Sequence, residues 1–256
     1  MSVSTYLSNR ASNAVLSADE RSSIATSIST LGTRIGSWFG VGVSTHFRFG
    51  SSTRDTILPR SMDALSDIDY IVVFAESGYK PQTYLDRLKK FAEAKYSTSE
   101  LFQSSPTMVL KLNHIRFELV PALSVWGSTY NIPKGPNDWQ STNPNDFNKA
   151  LSDKNAEEKY LLKPAIRLLK FWNANSGYVF DSYLLEKWAS ERFFWGCSSV
   201  RDYLFFLVDA LSIDTDVQWR KDQLARAKKI VTDTKTYEAG GYPALAEAEV
   251  KKLIPE

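Results

Sequence analysis

Cysteine and histidine are scarce in this sequence. The chain of 256 residues has one cysteine, Cys197, and two histidines, His46 and His114. A single cysteine excludes a disulfide within the chain and a multi-cysteine zinc site. Neither histidine has a partner at the spacing of a metal ligand set or a catalytic triad. Both histidines are therefore interpreted as structural or surface residues, and Cys197 as a small buried side chain.

The sequence also lacks a strong charge of one sign and long apolar runs. Its formal net charge is +2, from 31 Lys and Arg residues against 29 Asp and Glu residues. That balance does not indicate a nucleic-acid-binding protein, so composition predicts no nucleic-acid activator. No apolar run approaches the roughly 20 residues of a membrane span, and the N-terminus lacks the order of a signal peptide. These absences predict a cytoplasmic protein without a membrane partner.

A phosphate-binding loop of the GxxxxGK[ST] type is absent, which excludes a P-loop NTPase. The sequence has instead a Gly-Ser pair, Gly50 and Ser51, after an alternating stretch that predicts a strand over 43–49. Glycine permits a close backbone approach, and backbone amides at the start of a following helix can bind phosphate oxygens. The Ser51 hydroxyl adds one more donor. Alone, such a pair indicates only a turn.

Two aspartates that follow the Gly-Ser pair favour a functional site over a simple turn. Asp67 and Asp69 open an apolar run that ends at Phe74 and is rich in aromatic and β-branched residues, which predicts a strand. Residues two apart in a strand point to the same face, so the two carboxylates project together. Two such charges repel each other unless a cation neutralises them. Mg²⁺ prefers hard oxygen ligands of this kind.

Glu118 is the candidate for a third carboxylate. Two apolar runs flank Asn113 and His114, which predicts a hairpin, and alternation then puts Arg116, Glu118 and Val120 on one face. Neighbouring strands lie about 4.8 Å apart, so Glu118 can reach a metal ion at the aspartates only if the two strands are adjacent. We expect that adjacency.

Several blocks along the chain carry a resemblance to a known family. In chain order they are Gly50-Ser51, Arg54, Thr56, Pro59, Ser66-Asp67-Ile68-Asp69, Glu118-Leu119-Val120-Pro121-Ala122, residues 139–144 (WQSTNP), 169–172 (LKFW) and 182–186 (SYLLE). Each block is weak alone, but their order and spacing resemble the bacterial cGAS/DncV-like nucleotidyltransferases. These are relatives of animal cyclic GMP-AMP synthase and oligoadenylate synthase. The resemblance covers roughly residues 40 to 190.

The resemblance and the predicted elements imply an α+β protein of two lobes with the active site in the cleft between them. Residues 1–40 would contain a long spine helix, 41–144 a polymerase-beta-like nucleotidyltransferase core, and 145–256 a helical nucleotide-binding lobe. In the related synthases a lysine and a serine of the later blocks contact the triphosphate. The resemblance assigns those contacts here to Lys170 and Ser182, and Tyr183 could stack on a base. The alternatives are a surface lysine, a serine of a helix's first turn, and a tyrosine in the core.

Four local expectations follow from the pattern of residues. Ser17 and Glu20 form a capping-box signature, which predicts a helix from Ser17 to Gly40. Residues 1–16 are polar and predict a loose helix. Residues 127–144 hold Gly, Pro and Asn and predict a long loop, and Ala156–Asn173 predicts one helix that Pro164 kinks.

As a member of the resembled family, the chain would use two Mg²⁺ ions, or Mn²⁺ in their place, to join NTPs, ATP among them. Asp67, Asp69 and Glu118 would be the metal ligands. The product would be a cyclic di- or oligonucleotide messenger of bacterial anti-phage (CBASS) signalling, read by a downstream effector. The family's third carboxylate is more often aspartate, so Glu118 leaves the metal preference open. Two alternatives remain: transfer of a nucleotide to an RNA, protein or small-molecule acceptor, and a nucleotide-binding module that has lost catalysis.

Overall fold

The computed structural model, which describes residues 1–104 and 106–256, divides into two units. The sheet unit comprises residues 17–60 and 64–149, and the helical unit comprises residues 1–16, 61–63 and 150–256. The predicted α+β class, with a mixed sheet, a long helix near the N-terminus and a helical C-terminal region, is confirmed. The segment boundaries predicted after residues 40 and 144 stay a prediction.

The secondary structure begins with two helices and ends with six. The helices are α1 (Val3–Asn13), α2 (Ala18–Phe39), α3 (Ser51–Arg54), α4 (Pro81–Lys95), α5 (Asp146–Glu157), α6 (Leu162–Asn175), α7 (Ser182–Ser190), α8 (Val200–Ala210), α9 (Gln218–Ala239) and α10 (Pro243–Val250). The strands are β1 (Val43–Phe49), β2 (Asp67–Phe74), β3 (Glu100–Ser104), β4 (Thr107–Lys111), β5 (Arg116–Trp126), β6 (Thr129–Pro133) and β7 (Trp139–Thr142).

The seven strands form one mixed sheet. Its main order is β1-β2-β5-β4-β3, and β6 joins β5 to β7. β2 and β5 run parallel, whereas the other pairs described are antiparallel. Parallel neighbours need a long crossover, and here the crossover contains α4, β3 and β4. The hairpin predicted at Asn113 and His114 is confirmed, because β4 and β5 are antiparallel on either side of it.

The two faces of this sheet differ. One face packs against helices α2 and α4, where the Phe74 ring lies 5.3 Å from Phe39 and 5.0 Å from Tyr84. On the other face, Ile71 and Val73 of β2 form a small buried cluster with neighbouring side chains of β5. Asp67 and Asp69 continue this second face toward the beginning of β2, because side chains two apart share a face. The carboxylates therefore extend from the face opposite to α2 and α4.

The two N-terminal helices give one confirmed and one wrong expectation. The Ser17 side chain accepts a hydrogen bond from the Glu20 amide, and the Glu20 carboxylate accepts one from the Ser17 amide, so the predicted capping box and helix are confirmed. Residues 1–16 were expected to be frayed or loosely helical; a helix is present, and only its expected looseness is wrong. α1 is a regular helix that buries Leu7, and its Tyr6 hydroxyl donates to the Ile254 carbonyl at 2.6 Å.

Two expectations in the second half of the chain are also wrong. Residues 127–144 are not a loop, because β6 and β7 form a hairpin at the edge of the sheet. Ala156–Asn173 is not one helix either, since α5 ends at Glu157 and α6 begins at Leu162. Between them, Lys159 and Tyr160 have φ values of 52° and 63°, a left-handed conformation that breaks a helix. Pro164 then falls in the first turn of α6, where proline is tolerated.

No helix in the part of the chain that the structure describes is long and apolar enough to cross a membrane.

Candidate active site

The register between β2 and β5 brings the predicted acidic residues together. Asp67 pairs with Arg116, and Asp69 pairs with Glu118, across parallel neighbouring strands. The adjacency expected for Glu118 is therefore confirmed. Since paired residues of neighbouring strands share a face, Asp67, Asp69 and Glu118 lie on the same side of the sheet, where both strands begin.

The Asp69 carboxylate occupies the space that a side chain at Gly50 would need. A Cβ atom placed on Gly50 would lie 1.8 Å from Asp69 Oδ2 and 2.7 Å from Asp69 Cγ. Gly50 also has φ 72° and ψ −154°, a backbone conformation that is essentially confined to glycine. It ends β1 and precedes the short helix α3, whose first residue is Ser51. The Asp69 carboxylate thus requires a glycine at position 50, which the sequence had indicated as a functional position.

Arg116 joins two of the three carboxylates. Its Nη2 atom donates to Asp67 Oδ2 at 2.8 Å and to Glu118 Oε1 at 3.0 Å. The side chains of Arg116, Asp67 and Glu118 are 20%, 23% and 23% exposed, so these ion pairs are shielded from water. The sequence predicted that Arg116 shares a face with Glu118. Its contact with Asp67 was missed, because that contact depends on the register between two strands.

Glu118 does not behave as an ordinary carboxyl group. Burial and the neighbouring Asp67 carboxylate raise the pKa of Glu118 from 4.5 to about 7, although Arg116 acts in the opposite direction. A hydrogen bond with Asp67 also raises this pKa, and one with Thr107 lowers it. A carboxyl group with a pKa near neutrality indicates a position with too little positive charge, which is a common property of functional sites.

The donor set fits a divalent metal ion in its chemistry, and its three members share one face of the sheet. Asp67, Asp69 and Glu118 supply only oxygen ligands, from one face of two paired strands, and Mg²⁺ prefers such ligands. Within residues 1–104 and 106–256, however, no three His, Cys, Asp or Glu side chains are gathered closely enough to hold a metal ion. Arg116 instead engages two of the carboxylates.

Lys170, in the helical unit, is a buried ion-pair partner. Its Nζ atom donates to Glu186 Oε1 at 2.6 Å, and the two side chains are only 7% and 1% exposed. The alternative of a surface lysine is therefore wrong. A triphosphate contact from Lys170 stays a prediction, and it requires the ammonium group to be shared between Glu186 and a phosphate.

The other two predicted nucleotide contacts lie at the start of α7. Ser182 is the first residue of this helix and is partly buried, and Asp181 caps it by accepting a hydrogen bond from the Leu184 amide at 2.8 Å. Tyr183 is 47% exposed, so the core alternative for this ring is wrong. Stacking of Tyr183 on a base stays a prediction.

Both histidines contact hydroxyl groups, whereas the cysteine lines a cavity. His46 Nδ1 lies 2.7 Å from the Tyr70 hydroxyl, and His114 Nε2 lies 2.9 Å from the Ser27 hydroxyl, contacts that agree with a structural interpretation. Cys197 is only partly buried and lines a cavity of about 500 Å³ with Trp195, so its assignment to the core is wrong.

A sequence model of the Second Messenger Oligonucleotide or Dinucleotide Synthetase domain, SMODS, matches residues 1–155. This match covers more than half of the chain and includes the strands that carry Asp67, Asp69 and Glu118. The chain belongs to the SMODS family. The family resemblance read from the sequence is thereby confirmed.

Known proteins agree with this assignment. A probable cyclic nucleotide synthase of Bacillus cereus (strain VD146) is 25% identical, and the match covers 57% of this chain and 56% of that relative's length. Among solved structures, Vibrio cholerae DncV cyclic AMP-GMP synthase with a linear intermediate has a TM-score of 0.77 at 11% identity, covering 100% of this chain and 96% of the other. E. coli MS115-1 CdnC with ATP has 0.74 at 12% identity, covering 99% and 98%. The Bradyrhizobium diazoefficiens CD-NTase CdnG with GTP has 0.71 at 13%, covering 97% of each chain. At these identities the structures show a shared fold.

The SMODS match ends before the last two sequence blocks, residues 169–172 and 182–186. Residues 1–155 include Gly50 and Ser51, whereas Lys170, Ser182 and Tyr183 follow the matched range. The roles of all these residues, and of the three carboxylates, stay predictions.

Gly50→Ala tests the fit between Gly50 and Asp69. We expect it to lower the free energy of unfolding by about 1–3 kcal/mol, because alanine is strained at this φ and its Cβ displaces the Asp69 carboxylate. Gly36→Ala in α2 is the matched control, since a Cβ there meets nothing within 4 Å. Urea unfolding measures both. Equal stability of the two variants would contradict the fit.

Glu118 makes the stability of the metal-free SMODS domain depend on pH. Because its folded pKa of about 7 lies above its ordinary value of 4.5, its contribution is complete below pH 4.5 and is lost as pH rises through 7. In a chelator, wild-type protein should therefore melt at a lower temperature at pH 8 than at pH 5.5, and Glu118→Gln should remove part of that difference. Glu100→Gln, at an exposed ion pair with Lys111, is the control. A pH profile unchanged by Glu118→Gln would contradict the raised pKa.

The Lys170 ion pair is testable by paired variants. Lys170→Met should lower the free energy of unfolding by about 3–5 kcal/mol, because it removes the ammonium group that compensates the buried Glu186 carboxylate. Adding Glu186→Leu should restore much of that loss. The exposed pair of Lys235 and Asp209 is the control, and Lys235→Met should cost below about 1 kcal/mol. Similar losses from both lysine substitutions, measured by urea unfolding, would contradict the buried pair.

Proposed function

We propose that this chain is a divalent-metal-dependent nucleotidyltransferase that joins NTPs into a cyclic di- or oligonucleotide. One observation carries the proposal: in a SMODS domain, the register of β2 and β5 puts three carboxylates on one face, with Asp69 opposite Glu118. Carboxylates in this arrangement are the ligands that phosphoryl-transfer enzymes use for Mg²⁺. The match to a probable cyclic nucleotide synthase supports the kind of product.

The metal ligands in this proposal are the three acidic residues. Asp67 and Asp69 would bind both of two Mg²⁺ ions, and Glu118 would bind one of them; Mn²⁺ is the alternative metal. When bound, such ions stabilise negative charge on phosphate oxygens and favour loss of a proton from a hydroxyl group. Glu118 would also help to activate the hydroxyl group.

The proposed reaction is attack by a ribose hydroxyl of one nucleotide on the α-phosphate of an NTP, with release of pyrophosphate. In a second transfer, a ribose hydroxyl at the far end of the linear product would attack the α-phosphate of its own 5′ triphosphate, which would close the ring and release a second pyrophosphate. Gly50 contributes by leaving space for the Asp69 carboxylate, and Ser51 would donate a hydrogen bond to the phosphates. Catalysis here depends mainly on positioning and charge.

Three residues of the helical unit are proposed to hold the nucleotide. Lys170 and Ser182 would contact the triphosphate, and Tyr183 would stack on a base. The exposed ring of Tyr183 supports stacking, which is worth about 1–3 kcal/mol per base. Because Lys170 also forms a buried ion pair with Glu186, its effect on stability must be separated from its effect on nucleotide binding. Restoring stability with Glu186→Leu should not restore the NTP affinity that Lys170→Met removes.

The substrates are proposed to be NTPs, ATP among them, because related structures hold ATP, GTP or a linear intermediate of A and G. The description of the SMODS domain names second-messenger synthetases, which supports a signalling product. We assign that signal to bacterial anti-phage (CBASS) defence, with a downstream effector that binds the product. This assignment depends on the family alone.

A product assay tests the proposal. Purified protein is incubated with Mg²⁺ or Mn²⁺ and four labelled NTPs, treated with phosphatase, and examined by mass spectrometry. Wild type should make a phosphatase-resistant cyclic product, and Asp69→Asn should reduce it by at least about 100-fold, because it removes a ligand charge. Asp86→Asn, on the exposed side of α4, is the matched control and should keep full activity.

Other outcomes would redirect or reject the proposal. Pyrophosphate release without a resistant product would favour a transferase that modifies another acceptor. No product with either metal, together with tight NTP binding, would favour a nucleotide-binding module. A cyclic product that survives Asp69→Asn would contradict the assigned site.

A further inference from the structure

Arg116 is a fixed positive charge among the proposed metal ligands. It begins β5, pairs in register with Asp67 of β2, and precedes Glu118 by two residues on the same face. A single nitrogen, Nη2, lies 2.8 Å from Asp67 Oδ2 and 3.0 Å from Glu118 Oε1. The guanidinium therefore bridges two carboxylates that belong to different strands.

This bridge and a divalent cation would use the same carboxylates. Arg116 compensates part of the repulsion between Asp67 and Glu118, because its Nη2 atom lies within 3.0 Å of an oxygen of each carboxylate. At the same time, a positive charge about 3 Å from both carboxylates opposes the approach of a second cation in a partly buried place.

We infer that Arg116 is a positioning residue that acts as an internal counter-ion: it holds Asp67 and Glu118 while no metal is bound and competes with the divalent cation for them. The inference rests on the proposed metal role of these carboxylates. It predicts weak metal binding to the free protein. Metal would enter mainly together with the nucleotide, whose phosphates supply further oxygen ligands and negative charge.

A purely structural role for Arg116 makes a different prediction. If Arg116 only fastened β5 to β2, its removal would loosen the carboxylates and weaken metal binding. If it competes with the metal, its removal should strengthen metal binding to the nucleotide-free protein. The sign of the change in metal affinity therefore separates the two roles.

The experiment is a titration of nucleotide-free protein with Mn²⁺ at pH 8, followed by electron paramagnetic resonance of the free ion. Arg116→Met should bind Mn²⁺ at least about tenfold more tightly than wild type, because it removes the competing charge. Arg116→Lys should stay within about threefold of wild type, since it keeps the charge. Arg87→Met is the matched control for losing an arginine of the same unit at the exposed ion pair with Glu76, and it should not change the affinity.

Parallel turnover assays supply the second readout. With saturating Mn²⁺ and NTPs, Arg116→Met should have a lower kcat together with a lower Mn²⁺ requirement, and Arg116→Lys should recover part of kcat. Unchanged or weaker Mn²⁺ binding by folded Arg116→Met overturns the inference. Thermal melting checks folding, and Arg116→Gln, which keeps a polar side chain without charge, replaces Arg116→Met if that variant does not fold.

Failure of the inference can be distinguished from failure of the proposed function. If Asp67→Asn and Asp69→Asn weaken Mn²⁺ binding but the neutral Arg116 variants do not strengthen it, the metal site stands and the counter-ion role is wrong. If no variant binds Mn²⁺ without nucleotide, the counter-ion role is wrong. If neither aspartate substitution weakens Mn²⁺ binding when a non-hydrolysable NTP analogue is also present, the proposed metal site is wrong and the inference falls with it.

Discussion

The parallel pairing of β2 with β5 is the constraint on which the candidate site depends. It sets Asp67 beside Arg116 and Asp69 beside Glu118, although about 50 residues separate the two strands along the chain. A shift of this register by one residue would turn the acidic side chains of one strand to the other face of the sheet. The cluster of Ile71, Val73, Val120 and Ala122 on the same two strands opposes such a shift, because it would expose buried side chains. The apolar packing thus fixes the positions of the charges.

Electrostatics then determines what these positions can do. Carboxylates on one face of adjacent strands repel each other, and burial together with this repulsion raises the pKa of Glu118. Arg116 supplies the protein's own partial compensation of this negative charge, and a divalent cation would supply the remainder. Gly50 permits this arrangement on the other side, since any side chain there would occupy the place of the Asp69 carboxylate.

Local patterns in the sequence predicted much of this arrangement, and non-local pairing explains the rest. Alternation predicted that Asp67 and Asp69 share a face of their strand and that Arg116 and Glu118 share a face of theirs, and the Ser17 capping box predicted the start of α2. β6 and β7 were missed because Gly127 and the prolines of this segment indicate turns, whereas edge strands form through partners elsewhere in the sheet. The Arg116 bridge and the Lys170 pair with Glu186 each join two elements, so neither is visible in a local pattern.

The central claim is that Asp67, Asp69 and Glu118 ligate the same metal site. A crystal structure with Mn²⁺ and a non-hydrolysable NTP analogue, using anomalous scattering to locate manganese, tests it most directly. The account predicts anomalous peaks within about 2–2.5 Å of carboxylate oxygens from all three residues, with Arg116 moved away from at least one of them. Manganese bound only by the nucleotide phosphates, with Arg116 still bridging Asp67 and Glu118, would contradict it.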